Sequence, residues 1–458
     1  MVGLRVPRVV VSAPASGQGK TSVATGLLGA FRQAGLTVSP HKVGPDYIDP
    51  GYHTLAAGRP GRNLDPFLVG EERIVPMFAH GAVTPQPADV AVVEGVMGLF
   101  DGASGRADFA STAHVARLLA APVVLVVDAS GAARSVAALL HGFATFDDSV
   151  RLGGVIFNRV GSPAHTALLR EAVEPLGIPV LGAIGRRDSL AVPSRHLGLV
   201  PAAERSAAAL DVVAELTQVV REAVDLEAVL RLARSAPPLD VPEIGPPPPA
   251  PVSARIAVAA GRAFTFGYAE QPEVLRAAGA ETVPFDPMVD ERLPKGVDGV
   301  VIGGGFPEVH AADLAANAAL RAELAARARA GMPVAGECAG LLYLGRRLDE
   351  HEMCGVLDSE AVMTERLTLG YREAVAPVAS VLAAAGTTVR GHEFHRTALV
   401  GRGDGEPAWR WRTRTADVAD GAVRGNVHAS YLHLNWAGNP GMAERFVAAC
   451  AAGAGAGP

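Results

Sequence analysis

Apolar runs and helical stripes alternate along the first half of the chain. Short apolar, often β-branched runs occupy 9–11, 36–43, 89–94, 122–128 and 153–158, and each reads as a strand. Between them apolar residues recur at helical spacing, at Val23, Leu27, Leu28 and Phe31, then over 132–143 and 163–176. Strand and helix in alternation predict a parallel, doubly wound sheet, with sites at the carboxyl ends of its strands. An alanine-rich stretch over 202–234 reads as one long helix. Proline then crowds 236–251. At that density it fits neither helix nor sheet, so a stiff extended spacer is expected. A second α/β pattern starts at Arg255 and repeats at 297–303 and 333–336. Beyond Val362 the pattern turns β-rich, over 368–376, 389–399 and 423–434. The expected organisation is two α/β domains, 1–235 and 254–458, joined by a linker at 236–253.

Composition narrows the chemistry. A chain of 458 residues exceeds one ordinary core. The net charge of −6 offers no global attraction for nucleic acid, so an anionic substrate needs a local basic patch. Cys338, Cys354 and Cys450 are too few and scattered for a disulfide framework or a zinc site. A reducing, cytoplasmic setting is expected. No apolar leader and no membrane-length run is present, so a membrane is not an expected partner.

The first candidate site is Val9 to Ser22, VVVSAPASGQGKTS. An apolar strand turns through Ser16-Gly17-Gln18-Gly19 into Lys20-Thr21-Ser22 and a helix. Such a loop aims backbone N–H groups at phosphate oxygens, and the helix N-terminus adds positive potential. Lys20 reaches the β- and γ-phosphates, and the Thr21 hydroxyl holds Mg²⁺. Pro14 stands where the usual pattern has its first glycine, but Gly17, Gly19, Lys20 and Thr21 are intact. Glu94 ends a strand beside this loop, with Gly95, Gly98 and Gly102 around it, and is a candidate metal ligand. Asp101 is a second candidate acid. His41-Lys42-Val-Gly-Pro-Asp46-Tyr47-Ile-Asp49 packs two cations and two carboxylates into one loop. There Lys42 is a candidate partner for phosphate or a substrate carboxylate, and Asp46 for metal or substrate. Asn158 is a candidate for the nucleotide base, or a turn-forming residue.

The second candidate site is Gly336-Glu-Cys338-Ala339-Gly340, between a short apolar strand and an apolar helix. This is the elbow that lifts a nucleophile above a sheet, and the helix N-terminus favours the reactive thiolate. A base is required. His433 is the leading candidate, placed by a period of two on the same strand face as Tyr431. His428, His392 and His395 are alternatives. Gly303-Gly304-Gly305 follows a strand and offers backbone donors for an oxyanion hole together with Ala339.

With these residues in view, the chain resembles the cobyrinic and hydrogenobyrinic acid a,c-diamide synthase family over nearly its whole length. The resemblance rests on the Ser16–Thr21 loop, on Gly44-Pro-Asp-Tyr-Ile-Asp-Pro50, on Glu94-Gly-Val-Met-Gly-Leu-Phe-Asp-Gly102 and on Arg195-His196-Leu-Gly-Leu199. Gly303-Gly-Gly-Phe-Pro-Glu308, Gly391-His-Glu-Phe-His395 and Ser430-Tyr-Leu-His433 extend it. It implies an N-terminal dethiobiotin synthetase-like P-loop domain and a C-terminal class I glutamine amidotransferase-like domain. It further implies Cys338 as nucleophile and His433 as base. The usual His-Pro-Glu ending reads His433-Leu434-Asn435 here, so a Cys–His dyad is expected.

The implied activity is ATP- and glutamine-dependent amidation of the a and c carboxylates of the corrin ring, with Mg²⁺, in cobalamin biosynthesis. The substrate is a tetrapyrrole polycarboxylate. Lys42, Asp46, Tyr47, Asp101, Arg195 and His196 are its candidate contacts, with Arg186 and Arg187 in the same basic cluster. A second copy of the chain is a candidate partner. Cobyric acid synthase and the nickel-sirohydrochlorin enzyme are sibling readings. A P-loop switch with an inactive amidotransferase module is the reading of a different class.

Overall fold

The computed structural model describes residues 2–186, 194–195, 198–199, 201–202, 206–241, 250–401 and 403–454. The chain divides into two compact units, Met1–Ile244 and Gly245–Pro458.

The first unit is built on a seven-stranded sheet. Its order is Arg62–Leu64, Val38–Val43, Val90–Glu94, Arg8–Ser12, Val123–Asp128, Leu152–Val160, Val180–Gly185, and every pairing is parallel. The central strands are buried on both faces, which is why they read as unbroken apolar runs. Strand Arg8–Ser12 sits between Val90–Glu94 and Val123–Asp128. The chain leaves it through the glycine loop into helix Lys20–Gln33, so loop, Glu94 and Asp128 share one end of the sheet.

Two sequence expectations change here. The stretch 202–234 contains two helices, Ser206–Ala223 and Leu226–Arg234. Val224 bridges to Gly182, and the Asp225 side chain caps the second helix by accepting the Ala228 N–H at 2.9 Å. Helical periodicity continues across this break, so the pattern alone hides it. The proline-rich stretch also starts differently. Leu239–Val241 pairs antiparallel with Val2–Leu4, a strand too short to register as a pattern. The Arg8 guanidinium fastens this region from within by donating to Leu119 O, Val6 O and Pro237 O. Residues 242–249 of the expected linker lie outside the described residues.

The second unit has a six-stranded sheet ordered Ala280–Phe285, Ala254–Ala259, Gly299–Ile302, Val334–Glu337, Val427–Ser430, Ala422–Arg424. All pairings are parallel except the last. Beside it a long hairpin, Glu360–Val375 with Thr388–Val400, anchors a second sheet. The stretch 423–434 is not one strand. It divides into Ala422–Arg424, Val427–Ser430 and His433–Leu434, with Tyr431 and Leu432 in the crossing. His433 thus belongs to the hairpin sheet, opposite His392. The period-two argument for its direction therefore fails, because the strand changes sheets between Ser430 and His433.

Candidate active sites

In the first unit the glycine loop is shaped by left-handed residues. Gly17 and Gly19 have φ of 79° and 100°, a region that favours glycine. A Cβ on Gly19 would also lie 2.2 Å from Asn158 Nδ2. Asn158 donates from Nδ2 to Gln18 O at 2.9 Å, and Gln18 Oε1 accepts the Asp128 N–H at 2.8 Å. The ends of two neighbouring strands thus strap the loop in place. Lys20 Nζ donates to Ala15 O at 3.1 Å and Met97 O at 2.5 Å. Burial and the nearby Lys42 pull its pKa down to about 8, against the opposing carboxylates. Thr21 and Ser22 follow it in the first turn of the helix.

A buried charge cluster faces Thr21. Lys42 Nζ lies 2.7 Å from Asp49 Oδ2 and 2.8 Å from Glu94 Oε1. Thr21 Oγ1 donates to Glu94 Oε1 at 2.6 Å and contacts Asp49 Oδ2 at 3.3 Å. His53 Nε2 lies 2.7 Å from Glu94 Oε2. Burial opposes charge on Lys42, but Asp49, Glu94 and Asp46 outweigh it and hold the ammonium firmly protonated. Burial likewise disfavours ionised Glu94, yet Lys42 and His53 hold its carboxyl well below the usual range. Asp49 is pushed up by burial and by the neighbouring Asp46.

Asp49, not Asp46, therefore shares Thr21 with Glu94. The Asp46 carboxylate accepts the N–H groups of Ile48 at 2.7 Å and Asp49 at 3.2 Å, at the entry to helix Asp49–Ala57. The sequence marks the loop as charged; which acid turns inward depends on where that helix begins. Asp101 is exposed and accepts the Gly98 N–H at 2.9 Å. Tyr47 is buried. Arg195 lies in a two-residue strand paired with Gly198–Leu199, Arg186 is exposed, and Arg187 and His196 lie outside the described residues.

In the second unit Cys338 sits between strand Val334–Glu337 and helix Ala339–Leu344 with φ of 50°. A non-glycine residue in that region is strained, and such strain gathers at reactive positions. Its N–H is tied to Ser430 O at 2.7 Å. Gly340 allows the turn, since a Cβ there would lie 2.2 Å from Ile302 O.

Of the four candidate bases, His433 is the one that lies against Cys338 and feels its charge. It is fully buried. Burial pulls its pKa down, but Cys338 and Glu337 outweigh that and raise it to about 10. The Glu337 carboxylate meets His433 Nδ1 at 2.9 Å. The expected Cys–His dyad is thus joined in the geometry by a carboxylate, one residue before Cys338. The elbow pattern names Glu337 but gives no sign of its direction. His428 bonds Ser380 Oγ at 2.9 Å, and His395 stacks on Tyr431 at 3.9 Å while donating to Thr397 O. His392 lies 6.0 Å from His433 between ring centres and is kept neutral, first by burial and then by the neighbouring His433 charge.

The oxyanion expectation is narrowed as well. The Gly304 N–H donates to Phe266 O at 3.1 Å and is engaged. Gly305 and Ala339 remain as candidate donors.

Comparison with known proteins bears on both units. Residues 9–200 match the CobQ/CobB/MinD/ParA nucleotide binding domain, and residues 255–441 match the CobB/CobQ-like glutamine amidotransferase domain. The chain is 56% identical to a hydrogenobyrinate a,c-diamide synthase of Streptomyces coelicolor, covering 98% of each chain. It is 57% identical to the Mycobacterium bovis enzyme of the same name, covering 97% of this chain and 98% of that one. A cobyrinate a,c-diamide synthase of Synechococcus is 41% identical, with 96% and 98% covered. A nucleotide-binding unit and a glutamine amidotransferase unit in that order, matched end to end by these relatives, make this chain a member of the a,c-diamide synthase family.

Proposed function

We propose that this chain is an ATP-dependent carbon–nitrogen ligase that amidates the a and c carboxylates of hydrogenobyrinic acid, with glutamine as nitrogen donor. The observation that carries it is the pairing, on one polypeptide, of an intact phosphate loop with a buried Cys338–His433 couple. The ring assignment follows the relatives: those named for hydrogenobyrinate are 54–57% identical, and those named for cobyrinate 39–43%.

Glutamine chemistry belongs to the second unit. The Cys338 thiolate attacks the glutamine side-chain amide carbon, and Gly305 and Ala339 N–H groups receive the developing oxyanion. The His433 imidazolium gives its proton to the leaving nitrogen as the C–N bond breaks. Ammonia departs and a thioester remains on Cys338. Water, deprotonated by His433, hydrolyses it to glutamate.

Phosphoryl chemistry belongs to the first unit. Gly17, Gly19 and Ser22 shape the phosphate cradle, Asn158 holds that loop through Gln18 O, and Lys20 follows the transferring phosphoryl group. The donor set of Thr21 Oγ1, Glu94 and Asp49 suits a hard divalent cation, and residue Lys42 now bridges its two acids. Mg²⁺ held there would neutralise phosphate charge. A ring carboxylate takes the γ-phosphoryl group to give an acyl phosphate and ADP. Ammonia displaces phosphate and leaves the amide. Lys42 and, by the resemblance, Asp101, Tyr47, Arg195 and His196 are assigned to the substrate. Ammonium is no nucleophile, so ammonia must reach this chemistry unprotonated.

The test is a product assay with ATP, Mg²⁺, glutamine and either hydrogenobyrinic or cobyrinic acid. Two hydroxyl-to-amino exchanges on the metal-free ring are expected by mass. Four exchanges, or none without nickel in the ring, would overturn the assignment in favour of its siblings. Absence of glutamate release would point to an inactive switch.

A further inference from the structure

One imidazole lies between two consecutive residues. Cys338 closes on one side of His433 and Glu337 on the other. Glu337 Oε1 meets His433 Nδ1 at 2.9 Å, and Glu337 Oε2 accepts the Leu434 N–H at 3.1 Å. Both carboxylate oxygens are thus spent on one two-residue strand, His433–Leu434. Beside that strand Gly391 and His392 pair in antiparallel register with Leu434 and His433, which fixes its backbone.

We propose that Glu337 is the positioning carboxylate of the glutaminase centre: it sets the tautomer of His433 and stabilises its charged form during ammonia release. This rests on the glutaminase reading above.

An ionised carboxylate only accepts hydrogen bonds, so its contact requires a proton on Nδ1. That leaves Nε2 to exchange a proton with Cys338. The place where an acid would be sought from sequence, two residues past the base, is filled differently. Asn435 is buried, and its Oδ1 accepts the Ala437 N–H at 3.0 Å to cap a short turn. The neighbouring groups on the hairpin are engaged elsewhere or uncharged. Glu393 is paired with Arg372 and lies 3.5 Å from His395 Nε2, and His392 is neutral. The charged groups that bear on the imidazole are Cys338 and Glu337.

The geometry also explains the order of residues. Val334–Glu337 pairs in register with Val427–Ser430, Glu337 opposite Ser430. The chain after Ser430 crosses over and returns His433 past the end of Val334–Glu337. An acid at the last strand position and a nucleophile at the next, turned by a φ of 50°, then face one ring from two directions.

The test is Glu337→Gln in the full chain. Glutaminase kcat should fall roughly 10²- to 10⁴-fold, the range seen when a base loses its orienting acid, with little change in KM for glutamine. The alkaline limb of kcat/KM should move to lower pH, because the imidazolium loses its anion. A merely structural role would lower the amount of active protein without moving that limb. A Glu337→Gln protein with wild-type kcat and pH profile would overturn the proposal. A wild-type chain without glutaminase activity would instead overturn the functional reading. Should the variant fail to fold, nitrogen-15 histidine NMR of the wild-type chain decides. Protonated Nδ1 on neutral His433 supports the proposal, and a bare Nδ1 refutes it.

Discussion

Lys42 Nζ stands 2.8 Å from Glu94 Oε1, both side chains almost wholly buried, and 2.7 Å from Asp49 Oδ2. One ammonium thus bridges two acids at the mouth of the phosphate loop. Breaking such a pair leaves an uncompensated buried charge, which costs about 3–5 kcal/mol. Lys42→Met should therefore lower the unfolding temperature of the first unit and abolish amidation from glutamine or from ammonium. Adding Mg²⁺ should restore more thermal stability to the variant than to the wild type, since two acids lose their cation. Calorimetry with and without Mg²⁺ checks this. An unchanged melting profile would remove Lys42 from the structural core of the site.

The two half-reactions should separate by mutation. Cys338→Ala removes the nucleophile, so glutamine-dependent amidation should be lost while ammonium chloride at high concentration still supports it. Lys20→Ala removes a cation aimed at the phosphates, so amidation should be lost with either nitrogen source. Parallel assays of product and glutamate decide. Loss of both nitrogen sources in a folded Cys338→Ala protein would contradict the division of labour.

His433 sets a pH dependence of stability. Its pKa is raised from 6.5 to about 10 in the folded chain, by Cys338 and Glu337 against the opposing effect of burial. A raised value means the folded state holds the proton more tightly than the unfolded one. The stabilisation is complete below pH 6.5, declines above it, and is gone once pH passes about 10. Urea unfolding across that window should show the second unit weakening, and His433→Gln should flatten the trend. A stability that rises with pH between those limits would contradict the charged imidazole.

Legibility varied with how local each feature is. Buried runs such as Val90–Glu94 read correctly because a strand covered on both faces is apolar throughout. The phosphate loop and the Cys338 elbow were legible because each is one contiguous strand–turn–helix. The break at Val224 was not, since helical spacing persists across it. Nor were Asp49 and Glu337. Both lie inside recognised motifs, but their roles depend on partners 45 and 96 residues away, Glu94 and His433. Gly304 shows the reverse error: a glycine-rich stretch suggests open N–H groups, while a bridge to Phe266 consumes this one. His433 was named by resemblance, and the strand-face argument for it fails where the chain changes sheets.

A tight constraint on the second site is Gly340, two residues after Cys338. A Cβ there would meet Ile302 O at 2.2 Å and Ile302 C at 3.0 Å, both backbone atoms of a neighbouring strand. Backbone at the centre of a sheet cannot give way as a flexible side chain can. Gly340→Ala must therefore push helix Ala339–Leu344 away from Gly299–Ile302 and break the bond from the Gly340 N–H to Gly303 O at 3.1 Å. Overpacking of this kind costs about 1–3 kcal/mol, and the lost bond about 1 more. Glutaminase activity should fall sharply, because Cys338 and the Ala339 N–H ride on the same turn. Ammonium-driven amidation should survive wherever the first unit stays folded. Calorimetry alongside both assays checks the expectation. A Gly340→Ala protein with full glutaminase activity and an unchanged melting profile would show that the elbow can relax, and that helix Ala339–Leu344 does not need this close approach.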